Sequence, residues 1–232
     1  MARTIIIGDV HGCPIELEDL LQAVHLSAGD RVYFVGDLVG RGPDSLGVLA
    51  IVRRLCATAI QGNHERRLLE VHSGEPTGRR ARLGPPHRRL LESFSSEDWA
   101  TMANMPLYVE LSEHRLVVVH AGIDPSLPLE RQDPWVLTHL RSFDLAGAPS
   151  HRDGDASWAT HYEGPLHVVF GHNAIRGLQL FPFATGLDSG CVYGGSLSAL
   201  VLEAGEVVPA VELRRDRIVS VKARHRYFDP NR

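Results

Sequence analysis

The chain carries three cysteines, Cys13, Cys56 and Cys191. The odd number and the lack of any CxxC spacing argue against a disulfide framework and against a zinc–thiolate site. They point to a reducing, cytoplasmic setting. No run of eighteen apolar residues occurs, so no membrane span is expected. The chain enters a strand-like run at Thr4–Ile7 without the charged-then-apolar pattern of a signal peptide. Lysine is nearly absent: of the 24 Lys and Arg residues only Lys222 is lysine, a bias attributed to Arg-rich codon usage rather than to function. A formal net charge of −4 provides no global attraction to nucleic acid or membrane, so no stable DNA binding is expected. Internal repeats and long linkers are also lacking.

What is present fits one large α/β domain spanning 1–232, long enough to bury a sizeable core. Strand-like runs fall at Thr4–Ile7, Arg31–Val35, Thr58–Ile60, Leu107–Leu111, Leu116–Val119, His167–Phe170, Ser198–Leu202 and Val207–Leu213. Pro14 suits a first helical turn, with Leu17, Leu20, Leu21 and Val24 on one apolar face. Leu46, Leu49, Ile51 and Leu55 mark a second helix, and Ser, Glu and Asp near Ser96 mark the start of a third. Gly74 to Pro86 reads as a loop within an arginine-rich helical or loop segment at about 66–105.

Five short motifs follow strand-like runs: GDVHG (Gly8 to Gly12), GDLVGRG (Gly36 to Gly42), GNHE (Gly62 to Glu65), HAG (His120 to Gly122) and GH (Gly171–His172). Ligands in open α/β sheets gather beyond the carboxyl ends of strands, so residues far apart in sequence can converge on one edge. Asp9 and His11 can bind one ion from a short turn. Asp37 has two oxygens and can bridge to a second ion, whose shell Asn63, His120 and His172 complete. This oxygen and imidazole set suits manganese, iron or zinc. A pair of such ions clamps both ends of an in-line phosphoryl displacement. Arg41 and Arg141 can present guanidinium groups to phosphate, and His64 is placed to protonate a leaving oxygen.

The motif set closely resembles the serine/threonine phosphoprotein phosphatase superfamily of calcineurin-like metallophosphoesterases, and within it the bacterial ApaH-like phosphatases. The tail GLDSGCVYGGSLSAL (Gly186 to Leu200) supports the narrower likeness. That resemblance implies a β-sandwich flanked by helices. It implies two divalent cations, manganese first, with iron, zinc, cobalt or magnesium as alternatives. Asp9, His11 and Asp37 then hold one ion, and Asp37, Asn63, His120 and His172 the other. His64 is the implied general acid, and Arg41, Asn63, His64 and Arg141 contact substrate phosphate. Attack by a metal-bridging hydroxide is the implied chemistry, and symmetrical cleavage of diadenosine tetraphosphate the favoured reaction.

Related protein phosphatases read GDxVDRG, with an Asp that orients the catalytic histidine, whereas this chain has Gly40 there. Gly40 leans against a dedicated phosphoprotein phosphatase and leaves the partner of His64 open between a distant carboxylate and a backbone carbonyl. Seven arginines between Arg66 and Arg89 (66, 67, 79, 80, 82, 88 and 89) read either as a solvated surface or as a rim for a polyphosphate chain. Trp158, Tyr162 and Tyr193 are candidates for stacking on a base or for simple burial. Phosphoserine or phosphothreonine, long-chain polyphosphate and capped RNA remain alternative substrates, and a non-catalytic binding module is disfavoured by the intact ligand set.

Overall fold

The computed structural model describes residues 2–74, 84–154 and 156–230. Two five-stranded sheets form its centre. The first contains β1 (Thr4–Ile7), β2 (Arg31–Phe34), β3 (Thr58–Ala59), β11 (Ser196–Leu202) and β12 (Ile218–Lys222), in the order β12-β11-β1-β2-β3. The second contains β4 (Tyr108–Leu111), β5 (Leu116–Val119), β8 (His167–Phe170), β9 (Gln179–Phe181) and β10 (Ala184–Gly186), in the order β4-β5-β8-β10-β9. A small hairpin of β6 (Ser142–Phe143) and β7 (Pro149–Ser150) stands apart.

The apolar strands explain the layering. Side chains alternate between faces, and a strand covered on both sides reads as a continuous apolar run. In β1, Ile5 and Ile7 join the core under the helices, while Ile6 points the other way. In β5, Leu116 and Val118 share that inner cluster, whereas Val117 and Val119 face outward into a third. Ile6, Leu200 and Leu202 of one sheet therefore meet Leu116, Val118 and Val169 of the other, the filling of a sandwich. Helices α1 (Pro14–Ala23), α2 (Ser45–Arg54) and α5 (Ser96–Ala103) cover the first sheet's outer face. The outer face of the second packs on α6 (Pro134–His139) and on Trp158, Ala159 and Tyr162.

Strands β1, β2 and β3 are mutually parallel, as are β5, β8 and β10. Their carboxyl ends share one edge of the sandwich, and the loops that leave that edge carry the five motifs. Helix α3 (Asn63–Ser73) begins inside GNHE, and α4 (Pro85–Ser93) follows it.

Most expected elements stand where the patterns put them, with three corrections. Val207–Leu213 is not a strand: Pro209 cannot donate to a sheet ladder, and the run ends in the short helix α7 (Val211–Arg214). The last strand lies further on, at Ile218–Lys222, as an edge against β11. The expected loop to Pro86 gives way to helix at Pro85, where the proline's missing N–H is no loss in a first turn. Leu46 is 37% exposed, and Val48 and Val52 share the buried face with Leu49 and Ile51 instead. Arg79, Arg80 and Arg82 lie outside the described residues.

Candidate active site

Four residues of the motif loops adopt left-handed backbone without being glycine: His11 (φ 49°), Asp37 (φ 50°), Arg41 (φ 64°) and His172 (φ 68°). Each such residue costs on the order of 1 kcal/mol, and such costs concentrate at functional sites. The loops are zipped together. His11 and Gly12 donate backbone N–H groups to the carbonyls of Asp37 and Leu38 at 2.8 and 2.7 Å. Gly42 sits against the backbone of His11 and Gly12, where a Cβ has no room.

The candidate ligands converge. His120 Nδ1 faces the Val35 carbonyl at 2.9 Å, which fixes the proton on that nitrogen and turns Nε2 inward. Nε2 lies 3.0 Å from Asn63 Oδ1 and 3.5 Å from Asp37 Oδ1. His172 Nδ1 is 2.9 Å from the same Asn63 oxygen. On the other side of Asp37, His11 Nε2 stands 3.6 Å from Oδ2, with its Nδ1 toward the Val39 carbonyl at 3.3 Å. Asp9 is buried, and its carboxylate accepts the backbone N–H of His172. Ligand atoms of Asp37, His120 and His172 lie within 4.8 Å of one another, as do those of His11, Asp37 and His64.

The electrostatics ask for a cation. Burial, then the charges of Asp188 and Asp37, hold Asp9 well above the ordinary carboxylate range. Burial raises Asp37 to about 6 despite the nearby Arg41. The imidazoles shift the other way: burial lowers His120 to about 4 and pushes His11 and His172 well below their usual value. Neutral His120, its proton held on Nδ1 by the Val35 carbonyl, therefore aims a bare Nε2 lone pair at the Asn63 and Asp37 oxygens, an arrangement that repels unless a positive ion sits between them. The donor set is hard to borderline, without sulfur, and fits a divalent metal.

Arg41 donates toward His11 Nε2 at 2.9 Å, and its guanidinium lies 5.5 Å from the Tyr193 ring centre and 5.8 Å from that of Phe228. Arg141, on the far side, contacts His172 Nε2 at 3.4 Å. Both line a cleft of about 590 Å³ together with Asp37, Asn63, His172 and Tyr193. His64 Nε2 is 4.0 Å from Asp37 Oδ2, and its backbone N–H, free at the start of α3, donates to Asp37 Oδ1 at 3.0 Å. All eight residues expected from the motifs thus lie in one place, together with Arg141. Of the aromatic candidates, Trp158 and Tyr162 are buried in the core, and only Tyr193 reaches the cleft.

Several site residues escaped the sequence reading. Glu65 is fully buried, and Asp188 shares the carboxylate cluster with its pKa raised to about 6 by burial. Asp188 did carry a signal: it follows β10 between glycines, the same pattern as the other motifs. His87 of α4 lies 2.9 Å from His64 Nδ1, an imidazole where a carboxylate or a backbone carbonyl was expected. Cys13 and Cys191, distant in sequence, come together with Glu16 beneath the site and are free thiols.

A two-sheet sandwich with an arginine-lined cleft over a buried Asp/His cluster defines the chain as a metal-dependent phosphoesterase. The family model for calcineurin-like phosphoesterases matches residues 2–208, and the chain belongs to that family. It is 33% identical to the bis(5'-nucleosyl)-tetraphosphatase PrpE [asymmetrical] of Geobacillus thermodenitrificans (strain NG80-2), over 84% of this chain and 88% of that one. The relative of the same name from Oceanobacillus iheyensis is 31% identical, over 84% and 86%. A crystal structure described as that of a candidate diadenosine tetraphosphatase superposes with a TM-score of 0.82 at 37% identity, covering 96% of this chain and 94% of its own. The expected fold is borne out.

Proposed function

We propose that the protein hydrolyses a phosphoanhydride bond of dinucleoside polyphosphates at a pair of divalent cations. Asp9, His11 and Asp37 hold one ion; Asp37, Asn63, His120 and His172 hold the other. The ions supply Lewis-acid polarisation of the phosphoryl group and lower the pKa of water toward neutrality, with manganese the first candidate. The observation that carries this reading is that His120 Nε2, with its ring proton held on Nδ1 by Val35, lies 3.0 Å from Asn63 Oδ1 and 3.5 Å from Asp37 Oδ1.

The side chains do the rest. Arg41, wedged against Tyr193 and Phe228, and Arg141, beside His172, approach the cleft from opposite sides and bind the non-bridging oxygens of the phosphoryl group. Asn63 contributes at the start of α3, where helix-end N–H groups favour an anion. His64 hands a proton to the departing oxygen. The cleft extends past Tyr193 and Ile175 to Arg226, which offers an aromatic face and a cation to a nucleotide beyond the scissile bond.

In place of the symmetrical cut expected from the sequence we propose an asymmetrical one, a reading supported by that term in the names of the two relatives above. Product analysis after diadenosine tetraphosphate hydrolysis by manganese-loaded protein tests this directly. ATP and AMP are expected; two ADP restore the symmetrical reading. A phosphopeptide, long-chain polyphosphate and capped RNA assayed beside it rank the remaining substrates, and higher efficiency on any of them overturns the proposal.

A further inference from the structure

We propose that His87 is the positioning residue of the proton donor, holding the His64 ring from α4 where protein phosphatases of the superfamily use the Asp of GDxVDRG. The inference rests on the reading of His64 as the general acid.

Three observations carry it. His87 Nε2 stands 2.9 Å from His64 Nδ1, with ring centres 4.8 Å apart and planes inclined at 46°. That geometry lets Nδ1–H of the His64 imidazolium donate into the His87 lone pair, while Nε2–H, on the Asp37 side, holds the proton for the leaving oxygen. Second, Gly40 is what admits the second ring. A Cβ built there falls 2.7 Å from His64 Nδ1 and 2.9 Å from His87 Nε2, closer than side chains pack. The glycine and the histidine are thus one exchange: the motif loses its carboxylate side chain, and an imidazole from another helix occupies that space. Third, His87 is held rather than loose. It sits in the first turn of a helix whose Leu90 and Leu91 pack on the main core.

The surroundings keep the second ring an acceptor. Arg67 and Arg41 face His87, while His11, Arg41 and His120 face His64. Burial and the two arginines lower His87 to about 4, so at neutral pH it carries one proton and one lone pair. With that lone pair taken by His64 Nδ1–H, the proton of His87 sits on its own Nδ1.

A leaving-group comparison separates positioning from structure. The para-nitrophenolate of an aryl phosphate departs without a proton, whereas the phenolate of phenyl phosphate needs one. With manganese-loaded protein, His87→Ala is expected to cut kcat on phenyl phosphate by about 30-fold with KM within about threefold. It should change kcat on para-nitrophenyl phosphate by less than about threefold. His87→Gln, whose amide oxygen can accept from His64, should recover most of the loss. Bound manganese and Tm, measured on both variants, should match the parent.

His64→Ala is run alongside. If it shows the leaving-group effect and His87→Ala does not, the positioning role is overturned while the acid reading stands. If His64→Ala lacks the effect, the acid reading itself fails. Equal losses on both esters in His87→Ala, no rescue by His87→Gln, or a change confined to KM each overturn the proposal.

Discussion

Glu65 Oε2 accepts the backbone N–H of Asp37 at 3.0 Å, while Asp37 Oδ1 accepts the backbone N–H of His64, the neighbour of Glu65, at 3.0 Å. The two acidic residues thus hold each other's loops. Glu65 also takes the N–H of Gly62 at 2.9 Å and of Val39 at 3.1 Å, which makes three backbone donors on one buried carboxylate. Burial and the charge of Asp37 raise Glu65 to about 7. Replacing one of its oxygens by an NH2 group sets donor against donor. Glu65→Gln should therefore lose about 1–3 kcal/mol in urea unfolding and bind manganese more weakly. An unchanged midpoint would show that these hydrogen bonds do not hold the loops.

Asp37 is the residue shared by both proposed ion shells. Asp37→Asn keeps the shape but removes the charge, and should lower turnover by at least about 100-fold together with bound manganese. Near-normal turnover, or a full metal complement in an inactive protein, counts against the bridging role.

Gly171 lies against Asp9. A Cβ there falls 2.6 Å from Val35 Cγ2 and meets Asp9 Oδ1 head on. Gly171→Ala should cost roughly 1–3 kcal/mol and weaken manganese binding, because Asp9 must move. Calorimetric titration of the variant with manganese checks this; parent-like affinity excludes a role for the packing.

Metal stabilisation should grow with pH. The proposed ligand carboxylates are both raised, Asp37 to about 6 and Asp9 well above the ordinary carboxylate range, so the folded protein holds protons there in mild acid and an ion must displace them. Against a chelated control, saturating manganese is expected to raise Tm by roughly 5 °C or more at pH 7. That gap should narrow at pH 5. A gap that widens on acidification contradicts the assignment of these ligands.

His167 supplies a pH effect away from the site. Its ring is buried, bonded to Thr185 Oγ1 at 2.8 Å, and burial with the Arg214 charge lowers it to about 3. The unfolded chain protonates first, near the ordinary value of about 6.5. The stability His167 contributes is therefore complete above that pH and lost progressively as pH falls toward 3. His167→Gln should flatten the fall of unfolding free energy over this window by roughly 2–4 kcal/mol. An unaltered acid limb would assign the sensitivity to other groups.

Much of the fold was legible because it depends on local patterns. β1, β5 and β8 stand at the residues their apolar runs mark, and Pro14 opens α1 as a proline in a first turn should. The motifs were legible for a related reason: glycine beside Asp, His or Asn after a strand is a backbone requirement written into residue type. His87 and Arg214 had no such signature. His87 reaches His64 through the packing of α4 against α3, across 23 residues. Arg214, almost fully buried, is satisfied by the carbonyls of Pro209, Phe181, Pro182 and Ala184, which only the folded chain assembles.

The sequence alone determined the strand–loop units, the identity of the candidate ligands and the glycines that let their loops turn, because these follow from side-chain chemistry and short-range sterics. Only the tertiary structure decided which imidazole faces His64, that Glu65 ties Asp37 to the start of α3, and that Asp188 joins the carboxylate cluster. Those pairings depend on where two sheets and their flanking helices come to rest, and direction and distance between remote segments are properties of packing.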